Sequence, residues 1–88
     1  MSADVAAAVM DLRRFACPLT WVKTRIALER VGQGERVEVW LAAGEAVESV
    51  PRSAALDGHR VIGVEPLSGE AGFRVVIEKG ALAPGALA

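Results

Sequence analysis

Cys17 is the only cysteine in the 88-residue chain, and Pro18 follows it directly. Proline's fixed φ and missing N–H suit the first residue of a helix. The sequence therefore predicts a helix opening at Pro18, with Cys17 as its N-cap. First-turn N–H groups and the positive end of the helix dipole then converge on the sulfur. A thiol so placed ionises more easily, and the thiolate is the nucleophile. Arg13 and Arg14 lie just upstream and add positive potential. The competing reading is a small buried hydrophobe, the commonest fate of a free cysteine. The residues alone leave both open.

Other chemistries find less support. There is no glycine-rich phosphate loop, no H-E-x-x-H and no His/Cys cluster with metal spacing, so no metal site is expected. Glu45 and Glu48 read as solvated surface carboxylates. His59 is the only histidine. A Cys17–His59 dyad is the enzyme reading, but His59 follows Gly58 at a strand start, and no third residue stands out to orient it. A lone activated thiol can still accept a group by exchange, hold it and pass it on. That describes a carrier.

Composition narrows the setting. Eighty-eight residues suit one small domain with one two-layer core. Hydrophobic residues make up 52%, but much of that is alanine, and no run reaches the length of a membrane span. A basic start and long apolar stretch of a secretory signal are not expected from the N-terminal residues. One cysteine excludes an internal disulfide and a C-x-x-C pair, and a thiol that must stay free fits the reducing cytoplasm. The net charge of −1 argues against nucleic acid as a partner. The charge is uneven: residues 1–31 carry five Lys/Arg against three acids, the remainder five against eight. The cysteine lies in the more basic end.

The elements that must position Cys17 follow from periodicity. Residues 1–8 read as a loose tail and Val9 to Leu12 as a short strand. Residues 18–31 read as a helix capped by Gly32. That helix has two apolar stripes. Thr20, Trp21, Thr24, Ala27, Leu28 and Val31 share one face; Leu19, Val22 and Ile26 share the other with Lys23 and Arg30. A helix on a sheet buries one stripe. The first is wider and is expected inside, leaving Leu19, Val22 and Ile26, with Lys23 and Arg25 nearby, as a docking surface; the reverse would put Trp21 outside. Residues 35–41 alternate as a half-buried strand with Val37, Val39 and Leu41 on one face, and Trp40 outward as a lone aromatic or part of a contact. Residues 42–49 begin a loop or short helical turn. A second helix is expected from Ser49 or Val50, with Pro51 in its first turn, to Asp57, stopping at Gly58. Strands at 59–66 and 73–78 form a hairpin around a turn at 68–72, with Phe73, Val75 and Ile77 inward. Residues 80–88 read as a second loose tail.

The order β-α-β-α-β-β implies an α/β (α+β) two-layer sandwich: a four-stranded mixed sheet with both helices on one face. The other sheet face is left to solvent or a partner.

At the residues around Cys17 the chain resembles the TusA (SirA-like) family of sulfur carriers and sulfurtransferases. That family opens roughly Asp-x-Arg-Gly-Leu-x-Cys-Pro-x-Pro, with a lysine six residues after the cysteine. Here the run is Asp11-Leu12-Arg13-Arg14-Phe15-Ala16-Cys17-Pro18-Leu19-Thr20, with Lys23 at the lysine position. Val50-Pro51 and Gly58-His59 match later family segments, so the resemblance covers residues 9 to 79. It implies the two-layer fold of the C-terminal domain of translation initiation factor three. It also implies that Cys17 accepts sulfane sulfur as a persulfide from a cysteine desulfurase or rhodanese-type donor. The sulfur then passes to a downstream sulfur-accepting protein, toward tRNA thiolation, molybdenum-cofactor assembly or other sulfur metabolism. Such a chain is a covalent persulfide carrier without a cofactor, rather than a self-sufficient enzyme. The chain departs from the pattern in four places: Thr20 for the second motif proline, Arg14 for a glycine, Ala42-Ala43-Gly44 for Asp-Asp-Pro, and Ser49 for an aspartate. The basic residues Arg13, Arg14, Lys23 and Arg25 imply a partner acidic at its docking site. Two other functions stand beside the carrier: an interaction or regulatory module with a structural Cys17, and RNA binding, which the charge balance and low aromatic content disfavour.

Overall fold

The computed structural model describes residues 6–16 and 18–80. Six elements follow in the expected order: β1 (Ala8–Asp11), α1 (Leu19–Arg30), β2 (Arg36–Leu41), α2 (Glu45–Leu56), β3 (Arg60–Pro66) and β4 (Phe73–Glu78). The strands form one mixed sheet in the order β1-β2-β4-β3. β1 runs parallel to β2, and β4 is antiparallel to both β2 and β3.

The core lies between this sheet and the two helices. Val37, Val39 and Leu41 of β2 alternate into it, level with Ile77, Val75 and Phe73 of β4. All but the half-buried Phe73 are fully enclosed. From the helices come Ala27 and Leu28 of α1 and Val50 and Ala54 of α2, in the same cluster. Both helices thus cover one sheet face. Along the other, charges are matched in pairs: Arg36 with Glu78 at 3.5 Å, and Arg74 with Glu38 at 3.7 Å and Glu65 at 2.8 Å. Trp40 is part of this surface, its Nε1–H donating to Glu38 over 2.7 Å.

The two stripes of α1 sort largely as their widths imply. Thr20, Thr24, Ala27 and Leu28 are buried, whereas Leu19, Val22 and Ile26 are 50, 43 and 42% exposed. Trp21 and Val31 are only half-buried, a correction to the expected stripe. Trp21 lies at the stripe's margin, one position off the Thr20–Thr24–Leu28 line. Thr20 is fully enclosed, yet among the described residues its Oγ1 has no hydrogen-bond partner. A buried hydroxyl left unpaired costs about 1–3 kcal/mol. Thr20→Val, which removes the hydroxyl and keeps the branched shape, is expected to raise the unfolding free energy by about 1 kcal/mol. Urea denaturation measures it, and a lowered midpoint would contradict the assignment.

β1 spans Ala8–Asp11, one residue earlier than expected, so Ala8 belongs to the sheet and not to a tail, and β3 starts at Arg60 rather than at 59. Helix termini account for the larger corrections. α1 is capped by Pro18, not Cys17: the Val22 N–H donates to the Pro18 carbonyl at 3.0 Å, and Leu19 N–H to the Ala16 carbonyl at 2.8 Å. α1 ends on an extended Val31, and Gly32 does not adopt a positive φ. Its N–H donates instead to the Glu35 carboxylate. α2 begins at Glu45, well before Ser49, with Gly44 as cap and Pro51 inside the helix. Its stop at Gly58 is as expected. With φ at 88°, Gly58 donates to the Ala55 carbonyl at 3.1 Å and His59 to that of Ala54 at 3.0 Å. That pair is a Schellman cap, and the positive φ favours glycine.

Candidate functional site

β1 delivers the chain to a loop, Leu12 to Ala16, that leads to position 17 and α1. Cys17 itself lies outside the described residues, so the site is built from its neighbours. Leu12 is buried, its N–H donating to the Trp40 carbonyl at 2.9 Å. The Phe15 N–H turns back to the Leu12 carbonyl at 3.1 Å. These bonds and the Ala16–Leu19 bond tie the loop to β2 on one side and to α1 on the other.

Arg13 is the hub of the loop. Its guanidinium takes a bidentate hold on Asp11, through Nε at 2.9 Å and Nη2 at 2.7 Å. Its Nη1 reaches Glu70 at 3.1 Å and the Ala71 carbonyl at 3.1 Å. The same group lies 5.2 Å from the centre of the Trp40 ring. One side chain thus ties the loop to the β3–β4 turn. There Gly72 has φ at +115°, and an added Cβ would sit 2.8 Å from the Leu41 carbonyl oxygen and 3.0 Å from Arg13 Cδ. With two carboxylates against it, the charge of Arg13 is largely matched.

The partners respond. Hydrogen bonds from the Arg13 side chain and backbone lower the Asp11 pKa from its ordinary 3.8 to about 2. The carboxylate raises the Arg13 pKa still further above its already high value. A carboxyl depressed on folding stabilises the fold above its unfolded pKa, and that contribution is lost as pH falls through its folded pKa. The melting temperatures of wild type and Asp11→Asn are therefore expected to differ near neutral pH and to converge between pH 3.8 and about 2. The pair is exposed, so the difference is small and shrinks with salt. A gap that persists at the acid end would contradict the assignment.

Arg14 is exposed, with no ion pair among the described residues. It borders a cavity of about 420 Å³ shared with Arg13, Ala42, Ala43 and Gly72. Two departures from the family pattern, Arg14 and Ala42-Ala43, therefore meet in one place. It lies at the carboxyl ends of the parallel strands β1 and β2, where open α/β sheets hold their ligands. On α1, the Lys23 ammonium stands 4.7 Å from the centre of the Phe15 ring. A cation over an aromatic face is worth about 0.5–1 kcal/mol at exposed sites. Arg25 pairs with Glu29 at 3.5 Å. The exposed Leu19, Val22 and Ile26 thus share the outer surface of α1 with one matched cation, Arg25, and two without a carboxylate partner among the described residues, Lys23 and Arg30.

The register separates His59 from this loop. His59 precedes Arg60, which pairs with Glu78, itself opposite Arg36. The loop leaves Asp11, opposite Trp40 at the other end of β2. His59 Nδ1 accepts from the Gly80 N–H at 3.1 Å, and burial pushes its pKa down. It holds the chain after β4. The residues that sequence reasoning did not assign are Asp11, Phe15 and Glu70. Phe15 and Asp11 lie within the motif itself. Glu70, distant in the chain, carried no local signal.

Among the described residues no group of His, Cys, Asp and Glu could hold a metal ion, and no helix is long and apolar enough to cross a membrane. A family model described as "Sulfurtransferase TusA" matches residues 8–79. A protein of Archaeoglobus fulgidus, named "Putative sulfur carrier protein", is 38% identical over 71 residues, which cover 81% of this chain and 80% of that one. A protein of Methanocaldococcus jannaschii with the same description is 35% identical over 75 residues, 85% of this chain and 97% of its own.

Proposed function

Because the chain belongs to the TusA sulfurtransferase family, we propose that Cys17 accepts a sulfane sulfur as a persulfide and relays it to a second protein. The observation that carries this reading is the placement of the only cysteine. In the sequence it falls within the family match, and the described residues on either side of it are a loop pinned by Arg13 and the Pro18 cap of α1. The donor is a cysteine desulfurase or rhodanese-type protein, and the setting is the reducing cytoplasm.

The chemistry is an exchange. The Cys17 thiolate attacks the outer sulfur of the donor's persulfide. One S–S bond forms as another breaks, and the donor cysteine leaves as a thiolate. No oxidant is needed. Delivery repeats the step with Cys17 as leaving group. The proton balance is met by ionisation of the thiol before attack, with the proton released to solvent. The Leu19 N–H is engaged by the Ala16 carbonyl, but α1 has no side-chain N-cap, and a helix N-terminus favours an anion nearby.

A single-turnover experiment tests the relay. A donor preloaded with persulfide and mixed with this chain is expected to lose sulfur as the chain gains it, one for one. Loss to solution without a matching gain would contradict the proposal.

Docking falls to the outer surface of α1, through Leu19, Val22 and Ile26 with Lys23 and Arg25. Lys23→Glu is expected to slow association with an acidic donor severalfold at low ionic strength, and less at high salt, because screening weakens steering. Arg25→Glu does the same to a smaller degree, since Glu29 already matches Arg25. Stopped-flow rates insensitive to both charge and salt would contradict electrostatic docking.

A further inference from the structure

The sheet ends in two unlike edges. β3 slips register by one residue between Val61 and Gly63, opens on Arg60 and closes on Glu65-Pro66. Bulges, charges and proline are how sheets keep an edge from pairing with another chain. β1 has none of these across Ala8-Val9-Met10, and its terminal Asp11 is held by Arg13. Val9 is 57% exposed. Among the described residues β1 pairs only with β2, so its other side presents unpaired backbone groups.

A groove of about 680 Å³ runs beside that edge. It exists because α1 packs over β2 and against α2 rather than over β1. Its lining includes Ala8, Met10, Phe15 and Ile26, with Lys23 and Arg30 from the helix. Neither cation has a carboxylate partner among the described residues, whereas Asp11 is already matched. The groove is therefore apolar along its length and positive along its helical rim.

We propose that β1 receives an extended segment of a partner protein as a fifth strand, with an apolar side chain in the groove flanked by two acidic ones. The spacing follows from regular geometry. Lys23 and Arg30 are separated by about 10 Å of helix rise. Alternate residues of a strand face the same side at about 6.6 Å intervals. Acids at i and i+4, about 13 Å apart, come within reach of the two long cationic side chains and bracket an apolar residue at i+2 opposite Ile26. A second copy of this chain fits poorly, since its β1 offers Ala-Val-Met-Asp with a single, matched acid. Main-chain bonds supply affinity in such strand addition, and alternate side chains supply selectivity. The proposal uses no property of Cys17, so it fails or stands apart from the sulfur reading.

The probe is a synthetic nine-residue peptide with the core Glu-Thr-Val-Thr-Glu, titrated into the ¹⁵N-labelled full chain. Amide shifts are expected at Ala8 to Asp11 and at Ile26, with slowed hydrogen exchange in β1. Binding should weaken by about tenfold or more, about 1.4 kcal/mol, in each of three controls. These are a peptide N-methylated at alternate amides, a peptide with Lys for Glu, and the double variant Lys23→Glu/Arg30→Glu. Four results would overturn the proposal: no shifts at millimolar peptide, shifts confined to β3 or the open sheet face, equal binding of the N-methylated peptide, or β1 shifts that depend on protein concentration without peptide. The last assigns the edge to a second copy.

Discussion

Cys17→Ser is expected to take up no sulfur from any donor that loads the wild type, while melting at a similar temperature. The substitution exchanges one sulfur for oxygen, and a serine hydroxyl cannot form the S–S bond that holds the cargo. No other residue can substitute, since the chain has no second cysteine. In the proposed relay, the same fact means that a loaded sulfur would have no internal disulfide to be lost to and would leave only to another molecule. Intact mass after incubation with a cysteine desulfurase and cysteine reports loading, and circular dichroism reports the fold. A serine variant that gains sulfur as the wild type does would remove Cys17 from the relay.

The largest expected loss of stability is at Leu28. The buried positions of α1 are Thr20, Thr24, Ala27 and Leu28. Two are threonines and one is alanine, so a single leucine supplies most of the apolar surface that holds this helix to the sheet. Leu28→Ala is expected to cost about 2–5 kcal/mol, a large share of the roughly 5–15 kcal/mol typical of a folded domain. Because α1 is anchored there, the loop before it loses its support, and sulfur loading should fall in parallel. Urea denaturation measures the first effect and loading at a temperature below the transition the second. A cost below about 1 kcal/mol would mean that α1 is held by something else.

What could be read from the sequence was what repeats locally. The alternation of Val37, Val39 and Leu41, and of Phe73, Val75 and Ile77, identifies two strands and the faces they bury. The opposed stripes of α1 separate Leu28 from Leu19, Val22 and Ile26 because helical period is a strong local signal. Pro51 misled for a physical reason. Proline is best tolerated in a first turn, so its position suggested a helix start, yet α2 begins six residues earlier, at Glu45. The spacing of Ala46, Val47, Val50 and Ala54, all packed in or against the core, carried the correct signal. The Pro18 cap was displaced by one residue from Cys17, within the usual uncertainty of a helix end.

At the site, the motif marked the cysteine and the arginines but not their states. Arg13 and Arg14 are neighbours in sequence with opposite fates. One is bound by Asp11 and by Glu70 from the far hairpin, and the other is free of ion pairs among the described residues. That difference depends on the β3–β4 turn folding back beside β1, a long-range contact that no local pattern encodes. The meeting of Arg14 with Ala42 and Ala43 in one cavity is of the same kind.

The most direct measurement is tandem mass spectrometry of the wild-type chain after incubation with a cysteine desulfurase and cysteine, with a rhodanese-type donor in parallel. The account predicts one added sulfur atom on the peptide that contains Cys17, removed by a thiol reductant. An unchanged mass with every donor, or a sulfur located on any other residue, would contradict it.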